Sequence, residues 1–282
     1  MTENRPMSPL GHIKARARFL SLRYLWRLLA AALALFAVQM GISMVLSALD
    51  LLLVGNRTQV SLFGMEISLS FEIAYLLAQI LLAPLELGVA WYFLRGSRGE
   101  PGPFLGIFSW YARRDRLKVA GKFALWQLGF DVVTFPIGVL PVYYMNQELD
   151  RLLVEAGKAG LFVESIPVDT RGISMALILL AICGLVSLPF AALPYILCDV
   201  GHRGFFKCLK YSVKLMLSIL PQYFLLLISF IPWVLAGSCL LFVYVFLVVY
   251  YRMATVCFMD YTRSNMTREP YYKDFSHRED EQ

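Results

Sequence analysis

The chain has 282 residues, 59% hydrophobic and only 16% charged, with a mean hydropathy of +0.62. A soluble domain of this size would not sustain that balance, because its surface helices keep one polar face. The net charge of +6 and the pI near 9.1 are mostly a topology signal: the basic residues flank apolar runs, so lipid phosphate is the expected partner and nucleic acid is not.

A helix rising 1.5 Å per residue needs about 20 apolar residues to cross a hydrocarbon core about 30 Å thick. Six runs meet this: Leu28–Leu49, Ile73–Leu94, Ala120–Val142, Ile173–Leu197, Leu215–Leu235 and Cys239–Phe258. The spacing predicts an all-α, polytopic transmembrane helix bundle. Its parts are a basic N-terminal segment (1–27), a six-helix membrane domain (28–260) and a polar tail (261–282) expected to be disordered.

The first run is longer than a signal-peptide core and lacks a small-residue cleavage site, so it reads as an uncleaved anchor. Before it, His12–Arg27 is basic and amphipathic. Outside the membrane, Gly55–Phe71 alternates Val60, Leu62, Ile67, Leu69 and Phe71 around Gly64, which predicts a short β-hairpin. Asn56-Arg57-Thr58 matches a glycosylation sequon, a common triplet that matters only in a eukaryotic secretory setting.

Phe104–Lys118 places Phe104, Ile107, Phe108 and Tyr111 on one helical face and Arg113, Arg114, Arg116 and Lys118 beside them. Met145–Gly172 predicts a short outer surface helix, with Leu149, Leu152, Leu153 and Ala156 on one face. In Phe205–Lys214, Phe206, Leu209, Val213 and Met216 line one face and Lys207, Lys210 and Lys214 another. Each basic stretch runs into a span, and its cations are candidate contacts for anionic headgroups. The alternative is a cytoplasmic cap packed on the bundle.

Orientation follows from Lys and Arg. Of the 26 basic residues, 22 fall in the N-terminal segment, the two even-numbered connections and the tail, against Arg57, Arg151, Lys158 and Arg171 on the other side. Six crossings with both termini cytoplasmic account for the asymmetry. The spans leave the fifth and sixth helices to meet near Ala236-Gly237-Ser238, where small residues permit a tight turn.

Within the spans, Glu86 and Asp131 are the candidate intramembrane polar site, since an acid at a helix centre costs about 2.5–3.5 kcal/mol to insert. They are read either as ion or proton ligands in a cavity or as buried groups hydrogen-bonded to neighbours. Arg252 is expected to snorkel to the inner interface. Pro84, Pro136, Pro141, Pro189, Pro194, Pro221 and Pro232 interrupt four spans, and each tends to kink its helix. The five cysteines and three histidines show no metal-ligand spacing, and no cofactor is implied. No Walker loop, HExxH or GxSxG is present, so no catalytic residue is assigned.

Three stretches carry a resemblance. Pro84-Leu85-Glu86-Leu87-Gly88 is close to a G-P-L-E-x-G pattern, and Pro194-Tyr195-Ile196-Leu197-Cys198-Asp199 to P-Y-I-L-A-D, followed by Ser212 and Leu215-Met216. Leu226-Leu227-Ile228-Ser229-Phe230-Ile231-Pro232-Trp233 looks like L-x-L-S-F-I-G-W, ahead of Tyr250-Tyr251-Arg252. In order and spacing the chain resembles the bacterial multi-pass membrane proteins grouped as domain-of-unknown-function family 975. It departs at Pro232, at Leu217-Ser218 and at Val200-Gly201-His202. The resemblance implies a six-helix bacterial cytoplasmic-membrane protein and supplies no substrate. It raises interest in Glu86, Asp199 and Ser212, although Asp199 also reads as a structural carboxylate just before a helix.

The expected function is that of a non-enzymatic protein that organises membrane lipid or binds a membrane partner, including a second copy of itself. The alternative is a small-solute or lipid transporter with Glu86 or Asp131 inside, and a lipid-modifying enzyme comes third.

Overall fold

The computed structural model describes residues 9–53, 59–62, 65–159, 170–201, 204–234 and 241–266. Those residues are overwhelmingly helical. In chain order they form α1 (Pro9–Arg23), α2 (Leu25–Leu53), a hairpin of β1 (Gln59–Leu62) and β2 (Met65–Ser68), and α3 (Leu69–Ser97). A 3-10 turn (Phe104–Phe108) leads into α4 (Ser109–Ala112) and α5 (Arg114–Ala159). Then come α6 (Thr170–Ser187), a 3-10 turn (Leu188–Phe190), α7 (Leu193–Val200), α8 (Phe205–Ile228) and α9 (Leu241–Met266).

Among the described residues, four helices are long and apolar enough to cross a membrane: Leu25–Leu53, Ser70–Ser97, Leu177–Val200 and Phe205–Val234. They correspond to the first, second, fourth and fifth expected spans. The expected third span lies inside α5, and most of the sixth lies inside α9.

Proline acts differently from place to place. Pro84 and Pro221 sit inside continuous α-helices. Around Pro189 and Pro194, in contrast, α6 gives way to a 3-10 turn, and α7 restarts with proline in its first turn, where the missing N–H has no partner to lose.

Contacts divide the chain into two units: unit 1 comprises Met1–Val38, Pro84–Ala120 and Phe190–Gln282, and unit 2 comprises Gln39–Ala83 and Gly121–Pro189. The expected separate N-terminal segment is thus part of unit 1. In unit 1, α1 packs along α9, burying Ile13, Ala17, Leu20 and Ser21 on one face. Helix α3 approaches its neighbours closely at Gly96, where an added Cβ would lie 3.3 Å from Leu28 Cδ2 and from Met253 Cε. Helix α8 buries Phe205, Cys208, Ser212, Leu215, Ile219 and Tyr223, which recur at helical spacing. The end of α3 is closed by Gly99 at φ +84, which lets the Glu100 N–H reach back to the Arg95 carbonyl at 3.1 Å.

Unit 2 holds the hairpin in antiparallel register, with Leu62 opposite Met65 and Gln59 opposite Ser68. Its anchor is Asp50, near the end of α2. Ser68 Oγ donates to Asp50 Oδ2 at 2.6 Å, and Ser70 Oγ donates to Oδ1. Along α5, Phe123, Trp126 and Phe130 stack with centroids 6.2 and 5.3 Å apart. The expected outer surface helix is the last part of α5 and not a separate element. Its packed face also differs from the expected one: Glu148 and Leu152 are buried, whereas Leu149 and Leu153 are exposed. Glu148 accepts two hydrogen bonds from Arg151, at 2.6 and 3.0 Å. The sequon and the Ala236-Gly237-Ser238 turn lie outside the described residues.

Candidate functional site

Unit 1 gathers the polar groups of four distant sequence segments. At its centre, the Tyr223 hydroxyl lies 3.2 Å from that of Tyr251 and 3.5 Å from Thr255 Oγ1, which in turn donates to the Tyr251 carbonyl at 3.0 Å. Tyr195 on α7 lies within electrostatic reach of both Arg252 and Glu86, and also of Tyr251 and Cys198. The Cys198 thiol donates to the Leu87 carbonyl at 3.2 Å, tying α7 to α3. Hydroxyls and charges in an apolar interior cost several kcal/mol unless they satisfy one another, and this cluster does so internally. Arg252 is half-buried, and its guanidinium lies 6.0 Å above the fully buried Phe93 ring.

One to two helical turns along α7 and α9 lies an ion-pair node. Arg98 donates to both carboxylate oxygens of Asp199, at 3.2 and 3.0 Å, and its Nη2 is 3.8 Å from Asp260. Ser97 Oγ donates to Asp260 at 2.7 Å, and Arg16 donates to the Ser97 carbonyl at 3.0 Å. The node thus pins α1, the end of α3, α7 and α9 together. Asp199 and Asp260 also line a cavity of about 30 Å³ with Tyr195, Tyr211 and Met259, a volume suited to one ordered water. The expectation for Asp199 is corrected here: it sits in the last turn of α7 and works as the bidentate partner of Arg98.

A third group surrounds Trp91 on α3. The guanidinium carbon of Arg95 is 5.1 Å from its ring centroid, and that of Arg116 is 6.0 Å from it. Arg116 also lies 5.7 Å over Trp110 and donates to Ser109 Oγ at 3.0 Å. The loop over Trp91 is Pro101-Gly102-Pro103, continuing to Gly106, where a Cβ would stand 3.0 Å from the ring. Further along, the Ile107 carbonyl meets Gly88 of α3 so closely that a Cβ there would overlap it at 1.8 Å.

The other sequence candidates distribute as follows. Glu86 is half-buried in unit 1, and Asp131 is half-buried in unit 2. Arg113, Arg114, Lys118, Lys207, Lys210 and Lys214 are exposed, while Arg116 is half-buried among its tryptophans. Ser212 is fully buried. On the expected apolar face of α8, Phe206 is 80% exposed, Leu209 and Val213 are half-buried and Met216 is buried.

Sequence reasoning passed over Asp50, Trp91, Ser97 and Asp260. Asp50 and Asp260 each sit close to the end of an apolar run, which is the available signal, since a carboxylate there has polar partners within reach. Comparison with protein-family models, with curated proteins and with solved structures yields no match in any of the three.

Proposed function

We propose that the chain is a six-span cytoplasmic-membrane protein whose basic unit binds anionic lipid at the inner leaflet and so organises lipid or a membrane partner, without enzymatic chemistry. One observation carries this reading. Among the described residues, every Lys and Arg except Lys122, Arg151, Lys158 and Arg171 belongs to unit 1. The same unit leaves Phe19, Trp26, Phe108 and Phe206 exposed among those cations. Aromatic side chains with neighbouring cations suit the headgroup layer, where the ring meets acyl carbon and the charge meets phosphate. Membership of domain-of-unknown-function family 975 is part of the proposal. It rests on the three stretches of sequence that carry the resemblance, Pro84–Gly88, Pro194–Asp199 and Leu226–Trp233.

The test is lipid retention by the full chain in nanodiscs of mixed phosphatidylglycerol and phosphatidylcholine. Enrichment of phosphatidylglycerol that weakens with salt is expected. Equal retention of both lipids at low salt would overturn the reading. A second reading, a transporter of a small solute or lipid, is favoured by the interior cluster of Glu86, Tyr195, Tyr251 and Arg252.

A further inference from the structure

Arg113, Arg114, Lys118, Lys207 and Lys210 are exposed on unit 1. The group around Trp91 differs. Two guanidiniums share one indole ring, so their central carbons are no more than about 11 Å apart, the sum of their distances to its centroid. Their carboxylate compensation is slight. Arg95 lies 3.7 Å from Glu100, whose side chain is 82% exposed, and such a pair is worth little. The contacts of Arg116 are the Ser109 hydroxyl and two indole rings. The indole N–H of Trp110, 3% exposed, finds no acceptor among the described residues.

A half-buried excess of positive charge asks for an anion with hydrogen-bond acceptors. What lies alongside narrows its chemistry further. Phe104, Leu105 and Phe108, on the turn that follows the loop over Trp91, are exposed, Leu105 to 74%. An ion with no apolar part would gain nothing from them, whereas an acyl chain would.

We propose that Arg95, Arg116 and Trp91 form a discrete site for the phosphate of one anionic glycerophospholipid, whose acyl chains lie on Phe104, Leu105 and Phe108. This deepens the lipid-binding reading above and rests on it. The two arginines supply planar donor forks to the phosphate oxygens, and Trp91 holds both forks by its face.

The experiment is native mass spectrometry of the full chain, titrated with phosphatidylglycerol and, separately, with phosphatidylcholine. The wild type is expected to hold one phosphatidylglycerol more tightly than all later ones. Arg95→Gln with Arg116→Gln should weaken that first binding at least about tenfold. Lys207→Gln, Lys210→Gln and Lys214→Gln together should leave it intact and lower only the later, salt-sensitive additions. Leu105→Glu, on an exposed side chain that folding does not need, should also weaken the first binding, so the site stays testable even where the double variant unfolds. If the wild type shows no preference for phosphatidylglycerol, the lipid-binding reading itself fails. If the preference exists but survives both Leu105→Glu and the double arginine change, only this site fails. If millimolar inorganic phosphate displaces the first lipid completely, the site belongs to free phosphate and the lipid assignment is overturned.

Discussion

Gly88→Ala is the sharpest probe of how unit 1 is assembled. The added Cβ would stand 1.8 Å from the Ile107 carbonyl oxygen and 2.8 Å from its carbon, whereas ordinary contact begins near 3.4 Å. The obstacle is backbone, so no rotamer change relieves it. The 3-10 turn must retreat by about 1.6 Å, lifting Ile107 and Trp110, both buried, off α3. Overpacking against side chains costs about 1–3 kcal/mol, and an immovable carbonyl puts this change at or above the top of that range, about 3 kcal/mol. Gly129→Ala is the control, since a Cβ there meets nothing within 4 Å; it should be neutral or stabilise by up to about 1 kcal/mol. Thermal unfolding in detergent, followed by tryptophan fluorescence, reports on Trp91 and Trp110 directly. Equal midpoints for the two alanine variants would refute the close approach of the turn to α3.

At the ion-pair node, Arg98→Gln should destabilise more than Asp260→Asn, by about 1 kcal/mol, because it leaves Asp199 and Asp260 without the cation between them. A double-mutant cycle between Arg98→Gln and Asp260→Asn that shows no coupling in chemical unfolding would mean that Arg98 and Asp260 do not interact. Reporter fusions after Arg98, Arg203 and Gln282 should score cytoplasmic, and those after Thr58 and Ala159 external; a cytoplasmic score at Ala159 would remove one of the first three crossings. Asp131→Asn should leave folding intact and, on the lipid-binding reading, change nothing else, since a neutral amide is cheaper to bury than a carboxylate. Loss of a gradient-coupled flux in proteoliposomes on that change would move the balance to the transporter.

What could be read from the sequence follows from what periodicity encodes. The hairpin was legible because Val60 and Leu62, then Ile67, alternate on either side of Gly64, and β1 and β2 occupy those residues. The four helices long and apolar enough to cross a membrane were legible because an unbroken apolar run of that length favours a helix in lipid. Which face of α8 packs was not legible, because outside its lysine stripe the helix offers more than one apolar stripe. The sequence favours Phe206, Leu209 and Val213, yet protein covers the adjacent stripe of Phe205, Cys208 and Ser212. Hydropathy cannot separate a residue facing lipid from one facing another helix. The continuity of α5 was missed for a related reason: Met145-Asn146-Gln147-Glu148 is polar enough to suggest a loop, but it holds no glycine or proline to end the helix. The node was beyond reach, since nothing local links Arg98 to Asp199 or Asp260.

The two readings of the basic stretches, lipid-facing helix or packed cap, turn out not to compete. Helix α8 buries one stripe and still presents Phe206 beside exposed Lys207, Lys210 and Lys214; α1 does the same with Phe19 and Leu22 beside Arg18 and Arg23. Moving a fully exposed Phe or Leu side chain into the acyl boundary gains about 1.5–3 kcal/mol, against about 1 kcal/mol for each cation near an anionic surface. At such a surface the apolar residues therefore contribute as much per side chain as the lysines do, and salt screens only the lysines. Attachment of these helices to the leaflet should persist at high ionic strength, while their discrimination between anionic and neutral lipid should not. On the proposed lipid-binding reading, the cations of α8 act as selectors of leaflet composition and the aromatics as the hold, with the packed stripe fixing the direction in which both face.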